Sequence, residues 1–139
     1  MTPVLVGPTG VGKTAVALAL GALTPLTIIS ADARQVYRGL DIGTAKPDPA
    51  ALARVPHRGV DLIDPGERYS AGRFARDAAG WLVEARHAGR LPVVVGGTGL
   101  YIRALVEGLF REPPLDPDRR GRLRAWTEAL AAGELARWA

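Results

Sequence analysis

Val4-Leu5-Val6-Gly7-Pro8-Thr9-Gly10-Val11-Gly12-Lys13-Thr14, followed by Ala15-Val16-Ala17-Leu18-Ala19-Leu20, decides the fold. The apolar triplet reads as a short buried strand, the glycine-rich octet as a loop, and the alanine- and leucine-rich stretch as a helix. The octet fits G-x-x-x-x-G-K-[ST], and it stands between a strand and a helix, the context that gives this pattern its meaning. Glycines let successive backbone N–H groups turn inward around phosphate oxygens, and the start of the following helix adds its positive dipole end. In this reading Gly7, Pro8, Thr9, Gly10, Val11, Gly12, Lys13 and Thr14 bind a diphosphate. Lys13 reaches the terminal phosphate and the Thr14 hydroxyl is a ligand for Mg2+. The competing reading is a glycine turn that merely joins strand to helix, and the full match in the right context weighs against it.

Working outward, Leu26-Thr27-Ile28-Ile29-Ser30 is β-branched and bounded by Pro25, which predicts a second buried strand. Val60-Asp61-Leu62-Ile63, stopping at Asp64-Pro65-Gly66, predicts a weaker one. From Ser70, a candidate N-cap, Phe74, Ala78, Trp81, Leu82 and Ala85 recur at helical spacing until Gly89. Pro92-Val93-Val94-Val95 is the next strand. It is followed by Gly96-Gly97-Thr98 and a helix carrying Leu100, Leu105 and Leu109, with Thr98 near its cap. A last helix is expected from Pro117 to Trp138, with Trp126, like Trp81, on an apolar packing face. Alternating strands and helices predict an α/β chain with a parallel sheet flanked by helices, P-loop NTPase-like, whose active residues sit at the carboxyl ends of the strands. Four positions qualify: the loop after Val6, residues 30–35, Asp64, and residues 96–98. The predicted division is a core over residues 1–110 and a helical, RNA-contacting segment over residues 111–139. No strand follows that segment, so the sheet is expected to be incomplete.

Composition narrows the chemistry. The chain has 139 residues, 47% hydrophobic and 23% charged, the balance of one folded domain rather than of a disordered chain. It has no cysteine and only His57 and His87, which removes thiol nucleophiles, cysteine-bound zinc and histidine-rich metal sites and leaves carboxylate-bound magnesium. No apolar run approaches the roughly 18 residues of a membrane-spanning helix, and Met1-Thr2-Pro3 has no basic leader, so the expected place is the cytoplasm, with no membrane partner. A net charge of +4 favours anionic partners such as nucleic acid or phosphorylated metabolites. The phosphate loop is shared by ATP-binding and other nucleotide-binding enzymes. Val93-Val94-Val95 is followed by glycines rather than by the magnesium-binding Asp usual in NTP hydrolysis, which argues against that reaction.

The stretch Ile29-Ser30-Ala31-Asp32-Ala33-Arg34-Gln35-Val36-Tyr37-Arg38-Gly39-Leu40-Asp41-Ile42-Gly43-Thr44-Ala45-Lys46-Pro47 closely resembles the block after the second strand in tRNA dimethylallyltransferases. Pro56-His57, Asp64-Pro65, Tyr69-Ser70, Phe74, Asp77-Ala78 and Gly96-Gly97-Thr98-Gly99-Leu100-Tyr101 recur in the same order. The resemblance spans essentially the whole chain and matches the family's amino-terminal portion. Three departures stand out: Ala33 replaces the family's usual serine, Arg58 replaces a second histidine, and family members continue well beyond this length.

The resemblance implies transfer of a dimethylallyl group from dimethylallyl diphosphate to N6 of the adenosine on the 3′ side of the anticodon, by a protein acting as a single copy. Adenine N6 is a poor nucleophile because its lone pair is delocalised, so a carboxylate that accepts its proton helps, and Asp32 is the candidate base; its alternative is a helix cap or a second magnesium ligand. Asp32, Ala33, Arg34, Gln35, Thr98 and Arg120 are the expected contacts to the tRNA anticodon loop, whose adenine must leave the stack. Gln35 would read the adenine edge; its alternative is a solvated helix residue. Tyr37 and Tyr101 offer either stacking to RNA or plain packing. Arg119, Arg120, Arg122 and Arg124 form a basic cluster that either tracks RNA backbone or is a solvated face. Competing functions are an adenylate isopentenyltransferase acting on free nucleotide, a small-metabolite kinase, and a diphosphate- or RNA-binding fragment without turnover.

Overall fold

The computed structural model describes residues 1–109 and 116–137. The chain divides into two compact units, Met1–Leu109 and Phe110–Ala139. In the first, β1 (Val4–Val6), β2 (Leu26–Ser30), β3 (His57–Arg58) and β4 (Leu91–Gly96) form a sheet in the order β1-β4-β2-β3, parallel at every pairing. With helices flanking it, this is the expected P-loop NTPase-like α/β class.

All five residues of β2 are buried, as are five of the six in β4, which is why these two strands read as continuous apolar runs. Alternation within them builds two cores. Ile29 and Val94 face Phe74, Ala78, Tyr101 and Ala104, contributed by α3 (Ala71–His87) and α4 (Gly99–Val106). Ile28, Val93 and Val95 pack on the other face with Ala17 of α1 (Lys13–Leu23) and with Val55, which follows α2 (Pro49–Arg54). Ser70 caps α3 as expected, its Oγ accepting the Arg73 amide at 3.1 Å. The registers Val6 to Gly96 and Ser30 to Val95 bring the carboxyl ends of β1, β4 and β2 to one edge of the sheet.

Several expectations need correction. The strand predicted at Val60-Asp61-Leu62-Ile63 is replaced by His57–Arg58, which pairs with Ile28 and Ile29; Ile63 makes only a single bridge, to Tyr37. Asp61 is left-handed, with φ 52, and that breaks an extended run there. Asp64 consequently sits at no strand end of the sheet: it is exposed and pairs with Arg38 at 3.3 Å. The helix after Thr98 ends at Val106, short of Leu109. Nothing in the apolar pattern announced α2, whose signals are local: Asp48 accepts the Ala51 amide at 2.7 Å and Pro49 opens the first turn.

In the second unit, Asp116 caps α5 (Pro117–Ala129), and α6 (Ala132–Leu135) follows. The expected single helix to Trp138 is thus interrupted at Leu130, where the backbone is extended; Trp138 and the 110/111 boundary lie outside the described residues. No residue of α5 is buried, and Trp126 is 49% exposed rather than part of a core, because the 3.6-residue pattern here is carried by arginines more than by apolar groups. Arg119, Arg120, Arg122 and Arg124 are all exposed.

Candidate active site

The strand ends open into a cavity of about 380 Å³ lined, among others, by Gly12, Lys13, Thr14, Asp32, Gln35, Lys46, His57 and Gly96. The glycine loop enters α1 through Gly10 at φ 83 and Gly12 at φ 90, left-handed conformations that a side chain would strain. Lys13 Nζ donates to the Gly7 carbonyl at 2.8 Å and the Pro8 carbonyl at 2.7 Å, which holds the ammonium back along the loop. Two of its three protons are so used, and an anion of higher charge density than a carbonyl competes for them. Thr14, in the first turn of α1, lines the same cavity.

Asp32 lies two residues past the end of β2. Its Oδ1 accepts the Arg34 amide at 2.9 Å, a local turn that fixes the carboxylate, and no other protein donor reaches that group among the described residues. The turn is anchored from the neighbouring strand end, the loop after β4: Ala33 donates its amide to Thr98 Oγ1 at 3.0 Å, and Thr98 donates its own to the Ala31 carbonyl at 3.1 Å. Thr98 occupies the cap position of α4, but its side chain caps nothing there, because the hydroxyl is spent on Ala33. Gly96 permits the approach, since a Cβ at that position would overlap the Ala31 carbonyl. Gly97 lies against the glycine loop less tightly: a Cβ there would meet the Gly7 carbonyl at 3.2 Å.

Of the sequence-derived site residues, the structure gathers the loop at residues 7–14, Asp32, Ala33, Gln35 and Thr98 around the strand ends. Gln35 is not the solvated residue of the alternative reading: it is buried, its Oε1 accepting from Ser30 Oγ at 2.8 Å and its Nε2 donating to the Ala45 carbonyl at 2.9 Å. Arg34 is exposed beside Asp32, and Arg120 belongs to the second unit. Tyr101 takes the packing role, 4% exposed, stacked on Phe74 at 4.6 Å and donating its hydroxyl to the Tyr69 carbonyl at 3.2 Å. Burial, with Tyr37 and Asp32 near it, pushes its phenol above the usual range, so it remains a donor. Lys46 and His57 also line the cavity, although sequence reasoning assigns neither a role at the site. For Lys46 the signal was rarity: it and Lys13 are the only lysines among 18 basic residues. His57 sets Nδ1 2.7 Å from the Val55 carbonyl and leaves Nε2 buried without a partner.

The chain is similar throughout to proteins of one kind. A family model described as IPP transferase matches residues 35–138, and one described as isopentenyl transferase matches residues 2–64. The chain is 52% identical over 133 residues to a tRNA dimethylallyltransferase of Halorhodospira halophila, covering 96% of itself and 43% of that protein. Against the Thermus thermophilus protein of the same description it is 53% identical, covering 94% and 43%. It thus spans less than half the length of these curated relatives. Among solved structures, the full-length tRNA isopentenylpyrophosphate transferase of Bacillus halodurans superposes with a TM-score of 0.77 at 38% identity, over 96% of this chain and 45% of that one. A eukaryotic dimethylallyltransferase acting on tRNA gives 0.78 at 27% identity, over 89% and 32%. With a glycine-rich loop carrying Lys13 and the carboxylate of Asp32 in one cavity, and these matches over nearly its whole length, the chain belongs to the IPP transferase family.

Proposed function

We propose that this chain carries the diphosphate-binding and proton-accepting part of a tRNA dimethylallyltransferase. The observation that carries the reading is the presence of Lys13 and Asp32 in one cavity, the first on a loop shaped for phosphate and the second on a turn clamped by Thr98. Residues 7–14 bind the diphosphate of dimethylallyl diphosphate, and Lys13 exchanges its two carbonyl partners for phosphate oxygens. In the transfer, the bond between the allylic carbon and the diphosphate oxygen breaks and a carbon–nitrogen bond to adenine N6 forms. The diphosphate departs with the electron pair, and Asp32 takes the N6 proton. Lys13 is placed to stabilise the charge that grows on the leaving group.

Magnesium fits this donor set. Among the described residues no group of three or more acidic or histidine side chains could hold a metal by itself. A hydroxyl at Thr14 and ligand phosphates, with a carboxylate nearby, are the oxygen donors Mg2+ takes in such sites. When bound, it supplies further positive charge to the departing diphosphate. Arg34, exposed beside Asp32, and Arg120, exposed on α5, are proposed as contacts to the anticodon-loop backbone, with Ala33, Gln35 and Thr98 shaping the surface next to the reacting base. No helix among the described residues is long and apolar enough to cross a membrane. A cytoplasmic protein working as a single copy is the proposed setting.

The test is incubation of the chain, extended to the length of its relatives, with tRNA and isotope-labelled dimethylallyl diphosphate. Label on adenine N6 next to the anticodon is the expected result. Label on free adenylate but not on tRNA, or on neither, refutes it.

A further inference from the structure

Lys46 is the second lysine of the cavity, and its charge is fully engaged. Nζ donates to the Tyr37 carbonyl at 2.8 Å, to Asp41 Oδ1 at 2.6 Å and to Asp61 Oδ1 at 2.7 Å, and only 4% of the side chain is exposed. An ammonium has three protons, so these acceptors saturate it. Burial works to lower its pKa, but the hydrogen bonds and charges of the two carboxylates prevail and hold it above 10.5. Lys46 is therefore a permanent cation at physiological pH, with no proton left for a ligand.

What it fastens is one wall of the cavity. Ala45 and Pro47 flank it there, and Gln35 grips the same segment through the carbonyls of Ala45 at 2.9 Å and Thr44 at 3.3 Å. Ala45 and Asp61 each hold φ at 52, left-handed strain that persists where surrounding contacts over-determine the backbone. Those contacts are the Lys46 and Gln35 hydrogen bonds. Three acceptors converging on one nitrogen suit an ammonium and not the flat, spread fork of arginine. That accounts for a lysine here in a chain that otherwise uses arginine.

We propose that Lys46 is the positioning residue of this cavity: it fastens residues 41–47 so that Ala45 and Pro47 stand ready as an apolar wall for the organic tail of a diphosphate ester, while the diphosphate is left to residues 7–14. The inference rests on the phosphate-loop reading above. A ready-made wall spares the ligand the ordering of that segment, so its loss weakens binding of the ester without touching the phosphate contacts.

The experiment compares two ligands in the presence of Mg2+, inorganic pyrophosphate and dimethylallyl diphosphate, by calorimetric titration. Lys46→Met and Lys46→Arg are expected to bind pyrophosphate within about twofold of the parent chain and dimethylallyl diphosphate about tenfold or more weakly. A general structural defect would move both ligands together, so equal weakening overturns the inference, as does unchanged binding of both. Should the Lys46 variants fail to fold, Asp41→Asn serves in their place, since that carboxylate is 69% exposed and outside the cavity lining. It is expected to weaken the ester alone, by about threefold, and unchanged ester binding overturns the inference. A parent chain that binds no pyrophosphate overturns the phosphate-loop reading and this inference together.

Discussion

Thr98 Oγ1 accepts the Ala33 amide at 3.0 Å across 65 positions of sequence, so the turn that presents Asp32 is held by the loop that follows β4. Thr98→Val keeps the shape of the side chain and removes the acceptor, leaving a part-buried N–H unpaired. The expected loss is about 1 kcal/mol, or roughly 2–4 °C in Tm by calorimetry. An unchanged Tm would show that water replaces the hydroxyl there without cost.

Gly96 and Gly80 make a matched pair. A Cβ on Gly96 would run into the Ala31 carbonyl, whereas one on Gly80, in the middle of α3, meets nothing within 4 Å. Gly96→Ala should destabilise by about 1–3 kcal/mol as β4 is forced from its neighbour. Gly80→Ala should stabilise by about 0.5–1 kcal/mol through helix propensity. Urea unfolding midpoints moving in the same direction would contradict the packing described.

Lys13→Ala removes the ammonium that the loop holds at Gly7 and Pro8. Binding of dimethylallyl diphosphate with magnesium should fall below detection in a titration that readily measures the parent chain. Unchanged affinity would take the phosphate loop out of the mechanism.

Asp32→Asn preserves an acceptor for the Arg34 amide and removes the proposed base. In a chain of family length it should bind the diphosphate nearly as before and transfer about 10²-fold more slowly or worse. Single-turnover kinetics separate the two steps. Lost magnesium binding would instead mark Asp32 as a metal ligand.

His57 gives the unit a pH response. Burial holds its pKa below the ordinary 6.5, against a smaller opposing effect of the Val55 carbonyl. As pH falls through 6.5 the unfolded chain takes up the proton first, so stability is full above that value and declines below it until the folded histidine is also charged. Between about pH 7.5 and pH 5.5 the urea midpoint of the parent should therefore drop more than that of His57→Asn. Equal drops would place the response on other groups.

The sequence by itself determined β1, β2 and β4, the glycine-rich loop between β1 and α1, α1 itself and α3, because these depend on local signals: unbroken β-branched runs, glycines at left-handed positions, a serine cap. Asp32 was legible for the same reason, standing where a strand ends. What only the tertiary structure decided are the partnerships between distant segments. Periodicity placed a strand at Val60-Asp61-Leu62-Ile63, but pairing with Ile28 and Ile29 selects His57–Arg58 and leaves Asp64 outside the cavity. Thr98 read as a helix cap, yet its hydroxyl goes to Ala33; a solvated Gln35 was one reading of the sequence, yet the residue is buried with its amide tied to Ser30 and Ala45. Lys46 stood in a recognisable stretch but its role was not legible there, because its three acceptors come from Tyr37, Asp41 and Asp61, which meet only when the chain has folded. A hydrogen bond is satisfied by geometry, and geometry between segments many positions apart is set by how the sheet is assembled.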